Sequence, residues 1–277
     1  MITEAVRFLE RDGWALAYHR TGDGPPLLLL HATLSSSRQL QSLANRLAAS
    51  YTVIAVDRRG SGESRSPGVP PAGPIDVAVH VDDLVAILTA ERVGPVLAVG
   101  HSYGGCLALE FAARRPELVT GSWVYEPPYA PVGPPAVRAA LVDVGRRTAA
   151  AAHDGGPGAA AEAFLSAVGG AGAVESLSPA ARQRIRLADS AALADAALLG
   201  LEPDGLGRIR RPVVVATGTA SLPAYATIAE ALIERVPNAV HESIAGAAHG
   251  APITRSGTVA DAIEAFAARN GWTGSDR

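Results

Sequence analysis

The sequence predicts an α/β domain: a mostly parallel sheet joined by crossover helices, with a helical segment inserted late in the chain. Three observations lead there. Short apolar runs alternate with longer stretches of helical periodicity, as strands linked by crossover helices require. The run Val96-Leu-Ala-Val leads through a Gly-rich turn into an Ala/Leu-rich helical stretch. After residue 126 the composition shifts: Pro127, Pro128, Pro131, Pro134 and Pro135 crowd a short segment, and Ala-rich helical stretches then run to about residue 207.

Taken in order, residues 14–19 read as a strand pairing at an antiparallel edge. Residues 27–30, 52–56, 96–99, 122–125 and 213–217 read as five strands, each bounded by Gly, Pro or charge, with 240–244 a weaker sixth. Helical patterns cover 40–49, 77–90, 104–114, 225–235 and 258–268. In the second of these, Val81, Leu84, Val85 and Leu88 recur at three and four residues, a single apolar stripe for packing on the sheet. The late insertion is broken by Asp154-Gly-Gly-Pro-Gly and Gly169-Gly-Ala-Gly but by no strand pattern, and the α/β alternation resumes at Pro212. These boundaries predict a core of residues 1–126 and 208–277 and a helical cap of residues 127–207, with a poorly ordered loop as the other reading of that Gly- and Ala-rich segment. No fixed-period repeat is visible.

Composition narrows the function classes. A chain of 277 residues, 48% hydrophobic and 18% charged, can bury a substantial core, as one large domain or one with an insertion. Its 24 cationic side chains are all Arg and face 27 acidic ones, so no basic surface is available for phosphates and a nucleic-acid partner is not expected. The lone Cys106 cannot form an internal disulfide, which suggests a reduced compartment. The first ten residues carry Glu4, Arg7 and Glu10 and lack a signal peptide's apolar stretch. The most apolar short run, residues 27–30, stops at His31, far below the roughly 20 residues needed to cross a bilayer. A cytoplasmic location and no membrane span are the expectation.

The chemistry is concentrated around residue 102. Gly100-His-Ser102-Tyr-Gly104 has the strand, turn and helix context in which a serine hydroxyl stands out of the sheet on a strained turn. The flanking glycines lack the β-carbons that would collide with neighbouring backbone, and the helix starting beside Ser102 aims amide N–H groups at the same place.

With these residues in view, the sequence resembles the α/β-hydrolase superfamily over nearly the whole chain outside the insertion. Three further segments carry the likeness. Leu27-Leu-Leu-Leu-His31-Ala32-Thr33 resembles a third strand followed by His-Gly-x. Val56-Asp57-Arg-Arg-Gly60-Ser-Gly62-Glu-Ser64 resembles the family's Asp-x-Arg-Gly-x-Gly-x-Ser turn, with Asp57 at a structural position. Gly246-Ala-Ala-His249-Gly250 resembles its catalytic-histidine loop. The resemblance implies a central sheet with helices on both faces and Ser102 as nucleophile.

A serine hydroxyl is a weak nucleophile until an imidazole takes its proton. Of seven histidines, His19 and His241 lie in strand-like stretches, His80 opens a helix, His101 is inside the turn, His31 ends a strand and His153 lies in the insertion. His249 alone follows the last strand in a Gly/Ala-rich loop, at the position matching the family's base. The orienting acid is less regular. Most of the family places it after the strand matching 213–217, but the loop here, Gly218-Thr-Ala-Ser-Leu-Pro223, has no carboxylate. Chain order asks for an acid between nucleophile and base, and Glu126 closes the preceding strand. A minority of the superfamily uses that position, including lactonases similar to the one acting on the macrocyclic mycotoxin zearalenone. A hinge residue or an ion-pair partner is the other reading of Glu126. Asp204 precedes its strand and so lies at the wrong end.

The resemblance also implies oxyanion donors: the amide of Tyr103 and one from the loop after His31, either Thr33 or Ala32, the latter standing where the family has Gly. His31, Leu34 and Tyr129 are the expected substrate-binding residues, with packing and loop orientation as the other reading of His31. Phe164, Leu165, Val168, Leu187, Leu193, Leu198 and Leu199 are expected to bury between cap and core, some of them roofing the pocket. No metal or organic cofactor is expected. Serine at the turn favours an acyl-enzyme, hence a small-molecule ester or lactone, with thioesters or carbon–carbon bonds as alternatives. A ligand-binding receptor without turnover is the non-enzymatic alternative, prompted by the missing acid after 213–217.

Overall fold

The computed structural model describes residues 5–66, 75–156, 158–169, 172–188, 192–193, 195 and 205–273. Eight strands form one sheet: β1 (Arg7–Arg11), β2 (Trp14–Thr21), β3 (Pro26–Leu30), β4 (Thr52–Val56), β5 (Val96–His101), β6 (Val119–Tyr125), β7 (Val213–Gly218) and β8 (Ala239–Ile244). Their spatial order is β1-β2-β4-β3-β5-β6-β7-β8. The pairs β1/β2 and β2/β4 are antiparallel and every other pair is parallel.

Strand β1 corrects the expected edge. Residues 14–19 do pair antiparallel, but between β1 and β4 rather than at the rim. The two are joined by Asp12-Gly13, both with positive φ (50° and 74°), the two-residue turn whose twist matches a hairpin. The alternation in Arg7-Phe-Leu-Glu-Arg is diluted by charge because a rim strand meets water, and Phe8 is indeed exposed.

Strand side chains alternate faces, and the parallel strands are apolar at successive positions because both faces are covered. Leu28, Leu30, Ile54, Val56, Val96 and Ala98 join a cluster with helices α2 (Val77–Ala90), α3 (Tyr103–Arg114) and α7 (Pro223–Arg235). Leu27, Leu29, Val53, Ala55, Leu97 and Val99 join one with α1 (Gln41–Leu47) and α9 (Ser256–Arg269) on the other face. The stripe in α2 packs as its spacing requires, with Val81, Leu84 and Leu88 buried; Asp76 caps the helix by accepting from the Ala78 amide at 2.8 Å.

Between β6 and β7 the described residues form helices and no strand: α4 (Pro135–Asp154), α5 (Ala159–Gly169) and α6 (Pro179–Arg186). Val144, Ala161, Phe164 and Ala192 make a separate small core there, against which Leu34 packs. A four-residue helix, α8 (Ala251–Thr254), follows β8. No helix of the described residues is long and apolar enough to cross a membrane.

Phe111 is fully buried under the sheet whereas Val240 lies half exposed on the opposite rim. Phe111→Ala should therefore cost about 3–5 kcal/mol in urea unfolding, and Val240→Thr should stay within about 0.5 kcal/mol.

Candidate active site

Ser102 sits between the end of β5 and the start of α3 with φ of 53° and ψ of −121°, a conformation costly for any residue with a β-carbon. Its neighbours make the turn possible. A β-carbon on Gly100 would run into the Gly104 carbonyl, and one on Gly104 into the carbonyl of Leu30 on β3. The Ser102 amide donates to the Tyr125 carbonyl at 2.8 Å, fastening the turn to β6.

The loop after β8 carries His249 to the same edge of the sheet. Its Nδ1 lies 2.6 Å from Oε2 of Glu126, which is wholly buried at the end of β6. The other oxygen, Oε1, accepts from the Gly218 amide at 2.8 Å. Glu126 itself has φ of 48°, and its amide donates to Ala216 at 2.9 Å. With the carboxylate accepting from Nδ1, a neutral imidazole presents a free lone pair at Nε2.

Three further contacts, unforeseen from the sequence, hold this imidazole. The His101 ring donates from Nε2 to the His249 carbonyl at 2.8 Å. Tyr125 donates to the Ala248 carbonyl at 2.9 Å. Tyr225 stacks on the His249 ring, centroids 4.6 Å apart and planes 9° from parallel. Only His101 left a trace in the sequence, as the polar residue before Ser102; Tyr225 lies in a helix whose pattern specifies packing and nothing about a ring in another loop.

Ser102 and His249 line one cavity of about 260 Å³. Ala32, Thr33, Leu34 and Tyr103 line it too, so the expected oxyanion residues converge there. Tyr103 is the first residue of α3, where amides have no partner inside the helix. Leu141, Phe164, Leu165, Val168, Leu177 and Ile185 of the inserted segment form an apolar wall opposite.

Two expected substrate-binding residues are corrected, and for His31 the other reading, packing and loop orientation, is the one the geometry supports. His31 is fully buried behind the loop: its Nδ1 donates to the Ala32 carbonyl at 2.7 Å, and its Nε2 accepts from the Arg58 amide at 3.2 Å. Tyr129 faces α3 instead, donating to Glu110 at 2.8 Å within the core. Neither reaches the cavity, because each has its polar atoms committed to backbone or carboxylate partners. In the insertion, Leu187 is also corrected: it is 76% exposed. Leu198, Leu199 and Asp204 fall outside the described residues. Asp57 occupies a structural position, accepting from the amides of Ser37 (2.7 Å) and Glu63 (2.8 Å). Among the described residues no group of three or more His, Cys, Asp or Glu could hold a metal ion.

The general model of the alpha/beta hydrolase family matches residues 27–262. The chain belongs to the alpha/beta hydrolase family. The chain is 35% identical over 117 residues to an uncharacterized protein of Mycobacterium tuberculosis, covering 41% of this chain and 32% of that protein. It is also 35% identical over 108 residues to a soluble epoxide hydrolase of a Corynebacterium species, covering 39% and 36%. The matched stretch thus spans about a third of the length of these curated relatives. An alpha/beta hydrolase from Sphaerobacter thermophilus superposes with a TM-score of 0.67 at 28% identity, over 90% of this chain and 96% of that one.

Around the site, burial holds three histidines in the neutral form. It pushes His31 and His101 well below the ordinary imidazole range, aided by Arg58 at the first and His249 at the second. His80 is pushed down to about 3 by burial, with Arg58 and Arg59 adding to the effect. An unfolded histidine takes up a proton below about pH 6.5, whereas folded His80 stays neutral to about 3. Between those limits the unfolded chain binds more protons, so stability is complete above about pH 6.5 and is lost as pH falls. In urea unfolding, His80→Asn should lose about 2 kcal/mol less than wild type between pH 6 and 4.5.

Proposed function

We propose that this chain is a serine hydrolase cleaving an uncharged carboxylic ester or lactone through an acyl-enzyme. The observation that carries the reading is the Glu126–His249 hydrogen bond of 2.6 Å, made inside the wall of the cavity that Ser102 also lines. A buried carboxylate fixed by a backbone amide on one oxygen and an imidazole on the other fits the acid of a triad better than a solvated hinge residue.

In the proposed cycle His249 Nε2 takes the Ser102 proton as Oγ attacks the carbonyl carbon. The oxyanion forms against the amides of Tyr103 and Thr33 or Ala32. Collapse breaks the ester bond, and the imidazolium returns its proton to the departing alkoxide. Water, deprotonated by the same imidazole, then attacks the acyl-enzyme, and Ser102 Oγ leaves with that proton. Residues 127–207 act as a cap over the core of residues 1–126 and 208–277. The cap's apolar wall, and the absence of an Arg among the described residues that line the cavity, favour a neutral substrate with a hydrophobic group.

The likeness to a soluble epoxide hydrolase does not carry that activity over, since opening an epoxide by displacement at carbon calls for a carboxylate where this chain has Ser102. The binding-receptor alternative drew on the missing acid after β7; the Glu126–His249 hydrogen bond supports the hydrolase reading over it.

Hydrolysis of short and medium acyl 4-nitrophenyl esters is the direct test. Turnover should vanish in Ser102→Ala, and retained turnover would sink the assignment. Glu126→Gln should lose on the order of 10⁴ in kcat, the scale seen when a triad acid is made neutral; a loss below about tenfold would remove Glu126 from the role.

A further inference from the structure

The proposed mechanism makes no use of the buried ion pair between Arg58 and Asp195. Arg58, in the turn after β4, donates from both terminal nitrogens to Asp195 at 2.7 and 2.8 Å, and each side chain is 2% exposed. Asp195 belongs to the inserted segment and Arg58 to the core, so the pair crosses from cap to core. We infer that the Arg58–Asp195 pair is a positioning device that sets the oxyanion hole according to how the cap is seated. The inference rests on the hydrolase reading above.

The pair touches every residue expected to shape that hole. Asp195 Oδ2 accepts from the Thr33 hydroxyl at 2.7 Å. Arg58 reaches the Ala32 carbonyl at 3.5 Å, and its guanidinium lies over the Tyr103 ring, 4.3 Å from the centroid. The Arg58 amide donates to His31, whose ring in turn donates to Ala32. Leu34, next in the loop and held at φ of 58°, packs on the cap's own small core. Oxyanion donors act only within a narrow range, about 2.7–3.1 Å from the developing charge. A cap that lifts would take the Thr33 anchor with it and leave the guanidinium without its carboxylate. A buried ion pair is weak evidence for stability, since apolar side chains of similar volume fasten two surfaces equally well. What they lack is directional contact with Thr33 and Ala32.

The test removes both charges together, because either alone would be left buried and unpaired. In Arg58→Met/Asp195→Leu, kcat for 4-nitrophenyl butyrate should fall by about tenfold or more with KM within about threefold. Affinity for a trifluoromethyl ketone, whose adduct places an oxyanion in the hole, should fall in step. A folded double variant that keeps kcat and ketone affinity within about twofold overturns the inference. Should the double variant not fold, Thr33→Val cuts only the tie to Asp195; a drop of about threefold or more in kcat at constant KM supports the inference, and an unchanged kcat overturns it. A wild-type chain with neither Ser102-dependent turnover nor a ketone adduct defeats the hydrolase reading and the inference together. Wild-type turnover with unaffected variants defeats the inference alone.

Discussion

The short hydrogen bond between Glu126 and His249 is the constraint to which the rest of the sheet edge conforms. A carboxylate taken wholly out of water must have both oxygens satisfied, or it destabilises the fold by several kcal/mol. One oxygen is met by the Gly218 amide at the end of β7 and the other by the loop after β8, so a single side chain ties the ends of β6, β7 and β8 together. The turn after β7 contributes support instead of a charge. Ala220 donates to the Ala247 carbonyl at 2.9 Å, and the Thr219 hydroxyl accepts from the Gly246 amide at 2.8 Å. A β-carbon on Gly218 would collide with the Ala247 carbonyl, so the absence of a side chain there lets the histidine loop settle onto β7.

The same edge concentrates backbone strain. Of the five described non-glycine residues with positive φ, Leu34, Ser102 and Glu126 gather at the site, while Asp12 and Arg92 lie in turns elsewhere. Each such conformation costs on the order of 1–3 kcal/mol and persists only where the surroundings over-determine it. Here they do: Ser102 is bound to β6, Glu126 to β7, and Leu34 is packed against the inserted helices. The two apolar clusters on either face of the sheet supply the rigidity, since their strands are buried on both sides and leave the strand ends little freedom.

Much of this was legible in the amino-acid order. Strands buried on both faces announce themselves as continuous apolar runs such as residues 27–30, and α2 by its stripe of Val81, Leu84 and Leu88. Ser102 was legible because glycines on each side of a polar residue between strand and helix have few uses. Glu126 stood out because its rival position, residues 218–223, is bare of carboxylate. Strand β1 escaped because a rim strand is only half apolar, although Asp12-Gly13 is the kind of pair that starts a hairpin. His31 and Tyr129 were misplaced for a different reason. Proximity in sequence to a functional loop says nothing about which way a side chain turns, and their polar atoms had nearer partners in Ala32, Arg58 and Glu110.

The sequence by itself determined the local features: which segments extend, which coil, where the backbone must bend sharply, and which hydroxyl stands at the bend. These depend on steric limits and hydrophobic period within a few residues, which the order of side chains contains. Tertiary structure alone decided the partnerships. That Tyr225 lies flat on His249, that His101 holds the carbonyl of the residue it precedes by 148 positions, and that Asp195 meets Arg58 are outcomes of how distant elements dock. Such pairings are selected by the need of every buried polar group for a partner, and that need can be met only once the chain has closed on itself.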